Sequence, residues 1–436
     1  MAKLMGESDQ VSSAKPLGLG ESTPTASLWR APEFMKFWSG QSASLLGSQF
    51  SLLAVPLTAV LVLHASPGQM GLLGASLAAP GLFFGLVAGV WLDRTRRRPV
   101  LVIANTLSAV TLATVPGAAL MHLLTMEQLY AVALISGTSA TFFTVAQTAF
   151  LPTLAGRAKL VEANSMLQTS RTFTALVGPG LAGAAVQAIT APMAVALDAG
   201  SFLVGASTAW WVRASEPTPE RSSRNRFLGE AWEGLTVVWR QPLVRSITLS
   251  IVAANLFPFV TMAVFLLLFA GQLGVTPIEI GAVSATASVS GLLGAQAARP
   301  LIGRGGLGPV MLAGAGLFSV WPLFTLAAAL GPRQFVVPVL LSGAAVGGFG
   351  LMVYNINQLA IRQAVVPDRL LGRTSAVVVV VSLGGQVIGS LMGGAIGQAF
   401  GLRAALLAGT LGTCLCVLPA VFSPLRSLRD VPAPSI

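Results

Sequence analysis

Charge is what this sequence has least of. Only 9% of its 436 residues are Asp, Glu, Lys or Arg, against about 25% in an ordinary soluble domain. Residues 37–92 hold none at all. Such a chain cannot clothe a water-soluble globule, which excludes a soluble enzyme, a nucleic-acid binder and a disordered scaffold. Cysteine is nearly absent as well: Cys414 and Cys416 are the only two. Two residues apart on one helix they diverge, so no disulfide is expected between them. The two histidines, His64 and His122, have no partners at metal-ligand spacing. A Walker A loop, a His-Glu-x-x-His helix and a nucleophile elbow are all missing from the sequence. No catalytic residue, metal or cofactor is therefore expected, and the chain does not read as an enzyme.

What is there is apolar: 54% of the chain is hydrophobic and the mean hydropathy is +0.77. A membrane-spanning helix needs about 20 apolar residues. Charges and turn residues divide the apolar runs into twelve such spans, near 37–63, 69–91, 99–121, 128–151, 164–188, 192–212, 244–271, 277–299, 308–330, 334–360, 372–397 and 402–424. They must be helices, because lipid offers no partner to an open backbone. The expected architecture is an all-α membrane protein with two six-helix bundles, 37–212 and 244–424, joined by a polar linker over 213–243. Residues 1–36 are rich in Ser, Gly and Pro without an apolar core and read as a disordered cytoplasmic tail rather than a signal peptide. Residues 425–436 form a second tail.

The net charge of +11 is explained by where it lies. Assigning alternate loops to one side, beginning with the N-terminal tail, collects 24 of the 26 basic residues there; only Arg333 and Arg403 fall on the other. That asymmetry places both termini in the cytoplasm and leaves no nucleic-acid footprint. Arg362, Arg369 and Arg373, beyond span 10, count among these loop charges. The chain also repeats itself. Shifted by 210 residues, Gly71 meets Gly281, Arg94 meets Arg304, Pro99-Val100 meets Pro309-Val310 and Gly183 meets Gly393. Over 71–104 there are eight identities in 34 positions, roughly twice what so biased a composition yields by chance.

Gly89 at the end of span 2 and Asp93, Arg94, Arg97 and Arg98 in the loop after it resemble the Gly-x-x-x-Asp-Arg-x-Gly-Arg-Arg signature of the major facilitator superfamily. Arg96 stands where the family has a turn glycine. The resemblance implies two pseudo-symmetric halves and a latch, built on Asp93 and Arg94, that joins them when the cytoplasmic side is closed. For Arg97 and Arg98 a latch and a purely topological role are both open. Gly178-Pro179 is similar to the span 5 motif of drug and proton exporters, with Thr174 and Ala182 at two of its glycine positions. Asp198-Ala199-Gly200-Ser201-Phe202, with Gly40-Gln41 and Ala54-Val55-Pro56-Leu57, resembles the enterobactin-exporter and macrolide-efflux branch. Ser48 occupies a position where that branch suggests an acid, so a coupling role there does not carry over.

Among the fifteen acids, only Asp198 falls inside a span rather than at an edge, in a loop or in a tail. It is either a proton- or cation-binding site or a carboxyl packed against a neighbouring span. Uncharged polar residues mark a candidate substrate cavity. Gln41, Ser44 and Ser48 share a face of span 1, Thr144 and Gln147 lie in span 4, and Tyr354, Asn357 and Gln358 lie in span 10. Asn255 in span 7 and Gln386 in span 11 complete the set. Each could equally serve an interhelical hydrogen bond. Arg171 is either an inner-cavity charge or a snorkelling one. Phe142, Phe143, Phe257, Phe259, Phe265 and Phe269 offer aromatic surface for a greasy pocket.

The expected activity is secondary efflux of a small amphipathic or hydrophobic compound (drug, macrolide or siderophore type) by alternating access with proton antiport. The expected setting is a monomer in a bacterial inner membrane, its partners being substrate, protons and lipid. An importer or lysophospholipid-type flippase on the same fold is the alternative, and a non-transporting membrane sensor or assembly partner a third.

Overall fold

In the computed structural model, residues 27–92, 94–214, 216, 235–236 and 238–428 are described. Among them are twelve long helices: α1 (Pro32–Leu61), α2 (Pro67–Leu92), α3 (Arg97–Leu120), α4 (Met126–Ala155), α5 (Leu160–Ile189), α6 (Ala191–Trp211), α7 (Pro242–Leu266), α8 (Pro277–Gly305), α9 (Leu307–Leu330), α10 (Arg333–Val365), α11 (Asp368–Phe400) and α12 (Leu402–Leu415). Eleven helical stretches, all but α2, are long and apolar enough to cross a membrane. The remaining one, α2, carries no charge in its 26 residues. Each expected span is present. The helices extend past the expected spans: α1 begins at Pro32 rather than 37, and α10 runs on to Val365 rather than 360.

The helix ends carry ordinary signals. Proline opens α1, α6, α7 and α8, where its missing N–H costs nothing. Thr276 and Glu279 form a reciprocal capping box on α8. Gly156, Gly306 and Gly401 leave α4, α8 and α11 through positive φ. Prolines inside the helices, such as Pro56, Pro179 and Pro258, are tolerated because packed neighbours satisfy the freed carbonyls.

The 210-residue repeat is visible in the helix bounds: α3 shifted by 210 coincides with α9, and α2 shifted likewise starts where α8 starts. Packing repeats too. In the first half α1 packs on α5 and α6, and α3 and α4 pack on each other; in the second, α7 packs on α11 and α12, and α9 on α10. Small residues set these distances. On α1, Gly40 and Gly47 lie against Thr208 and Ser201 of α6 with no room for a side chain.

The halves touch through two equivalent seams, α2 with α11 and α5 with α8. Both lie toward the end of the bundle away from the arginine-rich loops. There the two halves share one apolar core, in which Val60, Leu73 and Val186 mingle with Val264, Phe269 and Ile280. Toward the arginine-rich end, which we call the basic end, the cores are separate. One holds Phe37, Leu101 and Phe150 of the first half, and another holds Ile247, Met311 and Ile361 of the second. The molecule is therefore closed at one end and divided at the other. Exposed tryptophans Trp29, Trp91, Trp210, Trp211 and Trp239 ring the basic end, as at a membrane–water interface.

Candidate functional site

Between the halves lies a cavity of about 1000 Å³, within the range of small-molecule sites. Its walls are chiefly apolar, with Leu52 and Leu53 of α1, Phe259 and Phe265 of α7 and Trp321 of α9 prominent. It reaches from the closed seam, at Met70 and Ser390, toward the basic end, at Arg362. Among the described residues, Gln49 is the one hydrogen-bonding side chain that the first half contributes; the rest, including Asn255, Tyr354, Gln358 and Gln386, come from the second.

The candidate cavity residues thus divide. Asn255, Tyr354, Gln358 and Gln386 line the cavity, and the Gln386 amide donates to Asn255 Oδ1 at 3.2 Å, tying α11 to α7. Gln41, Ser44 and Ser48 do not. Gln41 and Ser44 are buried, Ser44 donates to the Ser201 carbonyl of α6, and Ser48 donates to its own helix at Ser44. The cavity face of α1 is instead that of Gln49, Leu53 and Pro56; Ser44 marks the tight α1–α6 contact. Thr144 donates to Ala140 within α4. Gln147 is buried and accepts from Arg171 at 3.2 Å, and Asn357 is wholly buried with its amide on Val353. None of these three, nor Arg171, lines this cavity. Of the aromatic candidates, Phe259 and Phe265 line it. Phe142 stacks on Phe84 and Trp91 instead.

The cation that reaches the cavity is Arg362, which the sequence placed among loop charges. Because α10 extends past it to Val365, its side chain is 8% exposed. Nε and Nη1 have no hydrogen-bond partner among the described residues. The detectable signal was its spacing: Tyr354, Gln358 and Arg362 recur every four residues, on one face of a helix.

Asp198 is 1% exposed and sits behind the cavity wall between α6 and α1. Ser201 Oγ donates to its Oδ1 at 3.2 Å, and a Cβ at Gly47 of α1 would come within 2.8 Å of that oxygen. Among the described residues the ion pair formed is Lys36 with Glu33, and no cation faces Asp198.

In the loop after α2, Asp93 lies outside the described residues and Arg94 is exposed. A Cβ at Gly89 would meet open space. Arg97 and Arg98 open α3, and their backbone N–H groups donate to the two oxygens of Glu216, at 2.6 and 2.8 Å. Glu216 thereby satisfies two of the orphan donors at a helix N-terminus. In return the Arg98 guanidinium donates to the Ala209 and Trp210 carbonyls at the end of α6. The first residues of the linker are thus fastened to the first half. The sequence pointed to the arginines but not to Glu216, whose role depends on a return of the chain that no local pattern encodes.

Gly178 and Pro179 sit at the closed seam. Gly178 accommodates Gln49 of α1, and the Pro179 carbonyl lies against Gly281 of α8, where a Cβ would be 2.5 Å away.

These features have counterparts among known proteins. The chain is 29% identical over 364 residues to the multidrug efflux pump Tap of Mycolicibacterium fortuitum, covering 80% of this chain and 86% of that protein. It is 23% identical over 404 residues to macrolide efflux protein A of Streptococcus pyogenes, covering 91% and 97%. The fold is similar to that of the nucleoside transporter NupG, with TM-score 0.69 at 15% identity, covering 89% of this chain and 97% of that one. It is similar also to a bacterial homologue of the iron transporter ferroportin in its inward-facing state, with TM-score 0.71 at 16% identity, covering 89% and 98%. The sequence profile of the Major Facilitator Superfamily matches residues 37–270. With its twelve helices, its two repeated halves and a cavity between them, the chain belongs to the Major Facilitator Superfamily.

Proposed function

We propose that this transporter exports small amphipathic or hydrophobic molecules from the cytoplasm by alternating access, driven by proton antiport. The observation that carries the reading is the pairing of a shared core at one end with divided cores at the basic end. With the basic end in the cytoplasm, the greasy cavity faces inward, ready to load from the cytoplasm or the inner leaflet. Export would follow when the seams α2–α11 and α5–α8 part and the basic ends close. The efflux relatives favour this direction. In this reading Asp93 and Arg94 latch the closed cytoplasmic side, Gly178 and Pro179 form part of the seam that opens, and Asp198 carries the coupling proton. The protein works as a monomer in a bacterial inner membrane with both termini inside.

Everted membrane vesicles containing the full chain test this directly. A panel of macrolides, dyes and siderophores is offered with a proton gradient imposed. Gradient-dependent uptake of at least one amphipathic compound, abolished by an uncoupler, is the expected result. Uptake only in right-side-out vesicles would overturn the direction and make the protein an importer.

A further inference from the structure

We infer that Tyr354, Gln358 and Arg362 form a ladder on α10 that takes the anionic group of the transported molecule. The substrates would then be amphiphiles bearing a carboxylate, sulfonate or phosphate. The three residues stand four apart on one helix, about 6 Å per step, and all three line the cavity. Each presents an unsatisfied polar atom. The Tyr354 hydroxyl, Gln358 Oε1 and Arg362 Nε and Nη1 are buried without a partner among the described residues. Tyr354 is 3% exposed and Arg362 8%. Buried polar groups are nearly always paired, and leaving two guanidinium nitrogens without water or a partner is costly. Such a group on a cavity wall is waiting for a ligand.

The sign of the missing ligand follows from the lining. Among the described residues Arg362 is the only charged side chain there, and no described Asp or Glu contributes. A cationic drug would meet like charge and no counter-ion. An anion would meet a guanidinium that donates in a fork, with the Tyr354 hydroxyl able to donate at the next rungs. Its apolar body would lie against Phe259, Phe265 and Trp321, deeper toward the closed seam. Gln358 can turn its amide to donate, so an anion has donors along the whole face. Nothing in the first half repeats this. Shifted by 210, the Arg362 position holds Pro152 and the Tyr354 position holds Thr144, which is exposed and bonded to its own helix.

The inference rests on the reading of this cavity as the transport site, and a matched pair of fluorescent probes separates the two. 8-Anilinonaphthalene-1-sulfonate and N-phenyl-1-naphthylamine share an apolar skeleton and differ by the sulfonate. Each is titrated into the full-length protein in lipid nanodiscs, with empty nanodiscs subtracted. Arg362→Met is expected to weaken sulfonate binding by about tenfold or more, as loss of a charge-assisted pair does, with the neutral probe unchanged within about twofold. Arg362→Lys should retain most of the affinity. Should Arg362→Met not fold, Tyr354→Phe and Gln358→Leu serve, with an expected loss of about two- to fivefold for the sulfonate alone. Equal loss of both probes, or unchanged sulfonate binding, would overturn the ladder. Arg362-dependent binding without extrusion by everted vesicles would instead overturn the export reading and leave the ladder standing.

Discussion

Gly71 of α2 and Gly394 of α11 meet backbone to backbone across the seam. A methyl group on Gly71 would lie 2.8 Å from the Gly394 Cα and 2.6 Å from the Ser390 carbonyl oxygen. Gly183 and Gly281 make the equivalent contact in the second seam, with a Cβ on either 3.0 Å from the other's Cα. Since packed seams do not deform continuously, a bulky residue here must separate the halves rather than compress them.

Gly71→Leu is therefore expected to open the far end and favour the opposite conformation. A few kcal/mol of clash shifts such a two-state equilibrium by about tenfold or more. Cysteine labelling at Leu73, now in the shared core, measures it: labelling from outside the cell should rise in the Leu variant. Unchanged labelling would mean that the seam tolerates the side chain.

Glu216 and Arg98 hold α3 and α6 together from opposite helix ends. Glu216→Ala removes the acceptor of two backbone donors and should cost about 1–2 kcal/mol. Arg98→Ala strips two carbonyls of their donor, at about the same cost. Thermal unfolding of the purified protein reads both. The double variant should lose less than the sum, because the two contacts stiffen one junction.

Asp198→Asn keeps the volume and the hydrogen bond from Ser201 while removing the titratable group. Gradient-driven export should stop, with counterflow retained and stability within about 1 kcal/mol of wild type. Gly47→Ala presses on the same carboxylate from α1 and should impair export in part. Intact gradient-driven export by a folded Asp198→Asn variant would make the carboxyl a packing element only.

Gly347 leaves space for Trp321, whose Cβ would be 2.6 Å from an added Cβ. Both line the cavity. Gly347→Ile should drive the indole inward and narrow the site, so that export of bulky anionic amphiphiles falls further than export of small anionic dyes. A parallel loss across a size series would point to misfolding instead.

The helices, their number and the repeat were legible because composition and charge dictate them directly: an apolar run of span length has one fold available in lipid. The interior was less so. Polarity alone cannot tell a residue that faces a cavity from one that faces a neighbouring helix. Ser44 and Gln41 look as suitable for a substrate as Gln386 does, yet Ser44 bonds across to α6 and Gln41 is buried away from the cavity. The rotation of each helix about its axis decides between the two, and that is fixed by packing against glycines such as Gly47 and Gly205. Arg362 was misplaced for a simpler reason: one further helical turn converts a loop charge into a cavity wall.

The uneven sharing of polar groups gives an otherwise doubled molecule a front and a back. Two copies of one bundle face each other, but nearly all the hydrogen-bonding surface of the cavity belongs to the later copy. In the proposed export cycle, a passenger held there would keep nearly all its polar contacts with the later copy, while the earlier copy offers it a mostly apolar wall.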